Sequence, residues 1–246
     1  MCRNWCAVSL RYIKRHWNNI KDQQKIRAMK TFIDEYGVTY SDNHKILVKG
    51  NSGLEEYTVP EGTEVIGHDA WGKMDKLKNI NLPNGLLEIE SLAFSGCMGL
   101  TAIQLPSTLK EIGGYAFEFT MLRYIVIPEG ITVLRNDVFG ECFGLNTVIL
   151  PSTLESIEDY AFCSCPSPHI LLMTGERRLK HIDNCAFDGS DAIFLVPYDL
   201  QKEYADAFHA HAKRFLGMKI IENAGKVDIY SPEGLSVGEI PIQPSP

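Results

Sequence analysis

Along most of the chain the apolar positions follow neither the 3.6-residue period of a helix nor the two-residue period of a strand, but a much longer one. Prolines recur at Pro60, Pro83, Pro106, Pro128 and Pro151, at spacings of 23, 23, 22 and 23 residues. A second marker keeps step with them: Ala70-Trp71, Ala93-Phe94, Ala116-Phe117, Val138-Phe139, Ala161-Phe162 and Ala186-Phe187. In the unit starting at Pro83 the inward phases are Leu86, Ile89, Ala93, Phe94, Cys97, Leu100, Ile103 and Leu105. This predicts one coil per unit, with a short strand at "LTAIQL" and an extended or turn-rich return through "LLEIESLAF"; the proline ends the strand because it has no N–H for a ladder. The 22-residue step has a local cause, since Thr120 to Ile125 spans five positions where Cys97 to Ile103 spans six. After Leu172 the pattern loosens: Met173 stands at the proline phase, and "TGERR" intervenes before Leu179 and Ile182 resume it.

Such units must stack. Six large apolar side chains at about 2 kcal/mol each give roughly 12 kcal/mol, whereas ordering some 23 backbones costs about 1–2 kcal/mol apiece. Stability therefore belongs to the array, whose two ends need covers.

The pattern L-x-x-I-x-L-P-x-x-L-x-x-I-x-x-x-A-F, as in Leu100 to Pro106 followed by Leu109, Ile112, Ala116 and Phe117, resembles the BspA-like leucine-rich repeats over roughly residues 57 to 197. The fold it implies is a β-rich repeat solenoid. The stretch from Tyr36 to Trp71 is similar to that family's β-hairpin leading into a first repeat, with Asp42-Asn43 at the turn. The resemblance further implies binding to other proteins, since family members are mostly described as surface or secreted bacterial proteins, or proteins of parasitic protists, that bind host or matrix proteins; with no credible catalytic site, the expectation is a bacterial, non-catalytic protein-recognition or scaffolding module, with an exported adhesin as the alternative. The shared positions are structural, so no functional residue carries over.

The flanks complete an expected organisation: a basic helical cap over residues 1–36, the hairpin over 37–58, the solenoid over 59–197, a capping helix over 198–216, and short strands with a Pro-rich tail over 217–246. Ile13, Trp17, Ile20, Met29, Phe32, Ile33 and Tyr36 recur at three and four residues, which suits a helix ending at Gly37. Its basic face, Arg11, Lys14, Lys21 and Lys25, fits either solvated charge on a cap or contact with a membrane surface or nucleic acid. Leu200, Tyr204, Phe208 and Phe215 form the stripe of the second helix; "MKII" and "VDIY" read as strands beyond it, and "PIQPSP" as an extended or disordered end.

Charge narrows the partners. The net charge of −7 divides into +5 over residues 1–36 and −12 over the rest, and an acidic body disfavours a phosphate-tracking groove. No nucleic acid, cofactor or small-molecule substrate is expected. The start lacks a signal-peptide pattern and no segment reaches 18 uninterrupted apolar residues, so the expectation is no membrane span and a cytoplasmic location. Met29 as the true start would reopen export to the cell surface. The odd cysteine count of seven suits reduced thiols.

Several residues invite chemistry. Gly234-Leu235-Ser236-Val237-Gly238 matches the G-x-S-x-G nucleophile elbow, but the elbow needs a strand before it and a helix after, and no histidine follows His211. Cys97, Cys142 and Cys165 share one repeat phase with Met74, Thr120 and Ser190; the alternatives are a metal cluster and a buried small-residue ladder. Cys163 with Cys165, Cys2 with Cys6, and His181 with Cys185 lack zinc-site or triad partners at the right spacing, and His209 and His211 point to different faces, where solvation is expected. A thiol- or serine-dependent enzyme using Cys163, Cys185 or Ser236 is the remaining catalytic alternative.

Alternation along each strand predicts an outward row of Asn81, Gln104, Val126, Ile149, Leu171 and Phe194, polar at first and apolar later, with Tyr124 beside it. Two readings follow for Tyr124, Val126, Ile149, Leu171 and Phe194: a protein-binding stripe, or a face covered by the C-terminal helix or the "VDIY" tail.

Overall fold

The computed structural model describes residues 30–165, 170–173, 179–223 and 226–241. The chain winds about seven solenoid turns. Strands are numbered in chain order. One parallel row of two-residue strands comprises β5 (Val65–Ile66), β7 (Glu88–Ile89) and β8 (Glu111–Ile112), and continues after a break as β10 (Val133–Leu134), β12 (Ser156–Ile157) and β14 (His181–Ile182). The other row begins with β4 (Glu56–Thr58) on β6 (Asn79–Asn81) and resumes as β9 (Tyr124–Val126), β11 (Thr147–Leu150), β13 (Ile170–Met173) and β15 (Ile193–Pro197).

The expected strand within "LTAIQL" does not form. The next coil is the 22-residue one, yet the coils stay in phase: Arg123 N–H donates to the Thr101 carbonyl at 3.1 Å as Lys78 N–H does to the Glu55 carbonyl at 2.7 Å, without a strand forming between them.

Between the rows runs an aromatic spine. Phe94, Phe117, Phe139, Phe162 and Phe187 stack face to face with centroids 5.4 to 5.7 Å apart, one ring per coil. In the five coils from Ala70-Trp71 to Ala161-Phe162 the motif lies between two left-handed residues, such as Tyr115 (φ 62) and Phe119 (φ 57), or Asp137 (φ 52) and Glu141 (φ 56). At a non-glycine residue such a conformation costs about 1 kcal/mol. Inter-coil hydrogen bonds hold it in place: Phe94 N–H donates to Ala116 O at 2.8 Å, Phe117 N–H to Val138 O at 3.0 Å, and Phe139 N–H to Ala161 O at 2.9 Å. Trp71 holds the first spine position, and a Cβ on Gly50 would lie 2.3 Å from its Cε3, so only glycine fits above that ring.

The N-terminal end is closed by β1 (Thr31–Ile33), β2 (Thr39–Ser41) and β3 (Ile46–Lys49), an antiparallel sheet whose β3 carries the parallel β5. The hairpin expectation holds. The helix expected up to Gly37 does not extend into residues 31–36, which form a strand and a turn; its remaining part, with Cys2, Cys6 and Met29, lies outside the described residues. Phe32 alternates with exposed Thr31 and Ile33 and stacks on Tyr40 and His44, so a three-to-four spacing that mimics a helix comes here from a strand followed by a turn. Asp34 makes that turn by accepting from the N–H groups of Tyr36 and Val38, and Gly37 sits in it at φ 77.

At the other end the capping helix is shorter than expected: α1 (Gln201–Ala207) lies between two 3-10 turns, and Phe215 opens a strand instead of closing the helix. Tyr204, Phe208 and Phe215 still cover the last coil, with Phe215 stacked on Phe194 at 4.7 Å. The tail is more ordered than "MKII" and "VDIY" suggest. β16 (Phe215–Asn223) first pairs in parallel with β15, then leaves it to pair antiparallel with β17 (Lys226–Tyr230), and β18 (Ser236–Pro241) completes a meander.

Candidate recognition surface

Strand register fixes which residues share the outer face. Val126 stands opposite Ile149, Ile149 opposite Leu172, and Leu172 opposite Leu195. A second column runs Tyr124, Thr147, Ile170, Ile193. Leu171 and Phe194 therefore do not belong to the outer row. They register with Ile125 and Val148, and Phe194 is fully buried in the main core against Phe187 and Phe215. The slip is one residue, enough to invert a face. It arises because the unit ending in Met173 lacks its proline; Leu150 pairs with Met173, which makes Thr174 the proline phase. Pro197 is the signal that could have corrected it, since counting back two from each proline gives Thr58, Asn81, Gln104, Val126, Ile149 and Leu195.

The apolar part of this face is occupied. Ile149 and Leu195 form a second core with Val227, Ile229 and Ile240 of the meander, and Tyr124, Val126, Ile193, Met218 and Ile220 pack around it. Burial raises the Tyr124 phenol to about 12. Of the two readings of the stripe, the cover is the one observed: the outer columns become apolar at Tyr124, where the chain's own tail begins to lie over them.

The polar part stays open. Glu56 and Thr58 on β4 register with Asn79 and Asn81 on β6, and all four side chains are exposed. Asn79 Nδ2 donates to Glu56 Oε1 at 3.0 Å and Asn81 Nδ2 to Thr58 Oγ1 at 3.1 Å. With Tyr36 and Tyr57 these residues line a cleft of about 250 Å³. Tyr36 is 55% exposed although its backbone is pinned: its N–H donates to Asp34 Oδ1 at 2.9 Å and its carbonyl accepts from Asn51 Nδ2 at 2.8 Å. Beneath it Tyr57 O–H donates to Asp34 Oδ2 at 2.5 Å and hydrogen-bonds Tyr40 at 2.8 Å, and burial pushes the Tyr57 phenol well above its ordinary range.

The remaining candidates for chemistry lie elsewhere. Cys97, Cys142 and Cys165 are buried, and their thiols donate to the carbonyls of Trp71, Phe117 and Phe139 in the preceding coil at 3.0 to 3.1 Å. Thr120, at the same phase, donates instead to Phe117 O of its own coil at 2.8 Å. Burial raises Cys97 and Cys142 to about 12 and Cys165 higher still. Among the described residues no group of three or more His, Cys, Asp or Glu side chains is placed to hold a metal. Cys163 is buried 3.5 Å from Asp137 Oδ1, while His181 is exposed on β14 and Cys185 half-buried. Ser236 begins β18 on the meander and is exposed, with further strand and not a helix after it. His209 is exposed, but His211, expected in solvent, is buried edge-on against Phe187 with Nε2 3.0 Å from Asp183 O. It lines a cavity of about 400 Å³ with His209, Asp191 and Arg214, whose guanidinium lies over Phe187 and donates to Ala192 O.

Stacked coils carrying an inward leucine, isoleucine and phenylalanine at fixed phases define a leucine-rich-repeat solenoid. Residues 49–169 match the BspA type leucine rich repeat region in six copies, and this part of the chain belongs to that family. Among solved structures it is similar to the pneumococcal vaccine antigen PcpA (18% identity, TM-score 0.61, 76% of this chain and 46% of that one). A leucine-rich repeat protein from Eubacterium ventriosum is also similar (20%, 0.58, 66% and 50%), as is the T. pallidum leucine rich repeat protein (21%, 0.51, 73% and 92%). The chain spans about half the length of PcpA and of the Eubacterium protein. No curated protein matches it significantly. Among the described residues no helix is long and apolar enough to cross a membrane.

Proposed function

We propose that the chain is a non-catalytic recognition module that presents the open, polar half of its outer face to a macromolecular partner. The observation that carries this reading is the division of one continuous surface. The half from Tyr124 onward is closed by the meander, whereas the half before it keeps Glu56, Thr58, Asn79, Asn81 and Gln104 exposed beside a pinned aromatic ring. A scaffold needing only stability gains nothing from an exposed aromatic ring on a hydrogen-bonded turn beside this polar face. Buried thiols kept protonated, and a serine on an exposed meander strand, argue against a nucleophile.

The test is site-specific photo-crosslinking in the native source, with the crosslinker at Asn81 and, as a control, at exposed Lys110, just before β8 of the other strand row. A discrete partner captured at position 81 alone is the expected result. Equal capture at both positions, or none at 81, would count against it. An exported adhesin would use the same face, and cell fractionation separates that version from a cytoplasmic one.

A further inference from the structure

The geometry points to a neutral oligosaccharide as the ligand of the cleft between Tyr36 and the Glu56–Asn79 and Thr58–Asn81 pairs. This rests on the reading of the open half as the recognition surface and adds the chemistry of what is recognised.

The lining excludes most alternatives. Tyr36, Glu56, Tyr57, Thr58, Asn79 and Asn81 include no Lys, Arg or His, and Lys78 beside Asn79 is turned to Glu55 in an ion pair of 2.7 Å. Phosphate, sulfate or carboxylate groups would therefore meet a lone carboxylate and no cation. A lipid tail or apolar peptide would meet polar side chains on one wall.

What the lining supplies is a set of hydrogen-bonding groups already oriented by one another. Because each asparagine spends one N–H on its neighbour, Asn79 and Asn81 keep an amide N–H and a carbonyl oxygen free, Glu56 keeps Oε2, and Thr58 keeps its hydroxyl hydrogen. Strands stand about 4.8 Å apart and alternate residues along a strand about 6.6 Å apart, so the two pairs spread polar groups over a width comparable to one sugar ring, whose hydroxyls each donate and accept.

The aromatic wall supplies the other half of the recognition. A pyranose has an apolar C–H face, and Tyr36 offers an exposed ring, set edge-on to Tyr57 at 5.9 Å, whose backbone is fixed before any ligand arrives. Pre-fixing lowers the ordering cost of binding. Continuation of the polar column to Gln104 gives an extended chain room beyond a single ring.

The experiment is calorimetric titration of the full chain with cellohexaose, laminarihexaose, mannohexaose and chitohexaose, repeated for Tyr36→Ala, Asn79→Ala and Tyr36→Trp. All three substitutions fall on exposed side chains, and unchanged melting would establish that the fold is kept. Binding of at least one hexasaccharide, weakened about tenfold or more by Tyr36→Ala and by Asn79→Ala and retained by Tyr36→Trp, is the expected result. No heat with any of the four at millimolar concentration, or binding insensitive to both alanine variants, would overturn the inference. If the sugars fail while Asn81 crosslinks a protein, the oligosaccharide is wrong and the recognition surface stands; failure of both assays removes both.

Discussion

Ile229→Asp isolates the contribution of the tail. Ile229 is 4% exposed in the middle of β17, opposite Ile220 on one neighbour and Gly238 on the other, and belongs to the core with Ile149 and Leu195. Shortening a buried isoleucine to alanine costs about 2–5 kcal/mol, and a carboxylate kept in its place would add several more. The chain has a cheaper response, which is to release the meander. That limits the loss to the burial shared by Ile149, Leu195, Val227, Ile229 and Ile240, roughly 10 kcal/mol gross at about 2 kcal/mol per side chain, less the chain entropy regained. None of those five belongs to the main core, so the spine should survive. Limited proteolysis should therefore cut the variant after residue 223 and leave a stable solenoid, while Val237→Asp, at a 59% exposed position of the same meander, behaves as wild type. Equal protease resistance of Ile229→Asp and wild type, with unchanged denaturant midpoints, would refute the cover.

Three further outcomes are expected. Phe139→Ala removes a ring stacked on both neighbours at 5.7 and 5.4 Å and should destabilise by about 3–5 kcal/mol, read as a lower denaturant midpoint; a wild-type midpoint would mean the spine is misplaced. With thiols at about 12, Cys97 and Cys142 should resist iodoacetamide at pH 8 until the protein unfolds, and Cys142→Ser should be tolerated because its hydroxyl can donate to Phe139 O three residues back, as Thr120 does to Phe117 O; rapid native labelling would contradict the ladder. Burial holds the His211 pKa below its ordinary value, so the neutral ring, with Nε2–H donating to Asp183 O, contributes stability that is complete above about pH 6.5 and is lost as pH falls through the lower folded value. His211→Gln should lose less stability than wild type between pH 7.5 and 5, and parallel pH profiles would count against the assignment.

Proline spacing made the coil and its Phe phase legible, because a residue without an N–H ends each strand at the same point. The same dependence explains the error at Leu171 and Phe194: the unit ending in Met173 has no proline, the register slipped there by one, and the slip was carried into the next unit although Pro197 closes it. The covered half was legible only as a gradient from Asn81 to Ile149; which segment covers it depends on β16 leaving its parallel partner, and no local pattern in the tail encodes that. The cleft was invisible because Tyr36 read as part of a helical stripe, and a turn nucleated by Asp34 puts it beside β4 and β6, which begin at Glu56 and Asn79.

The division of the outer face into a covered and an open half is tested most directly by hydroxyl-radical footprinting of the unmodified protein, comparing Tyr36 with Tyr124. The account predicts strong oxidation of Tyr36, protection of Tyr124 and Ile149, and loss of that protection when the chain is ended after Asn223. Oxidation of Tyr124 as readily as Tyr36 in the full chain would contradict it.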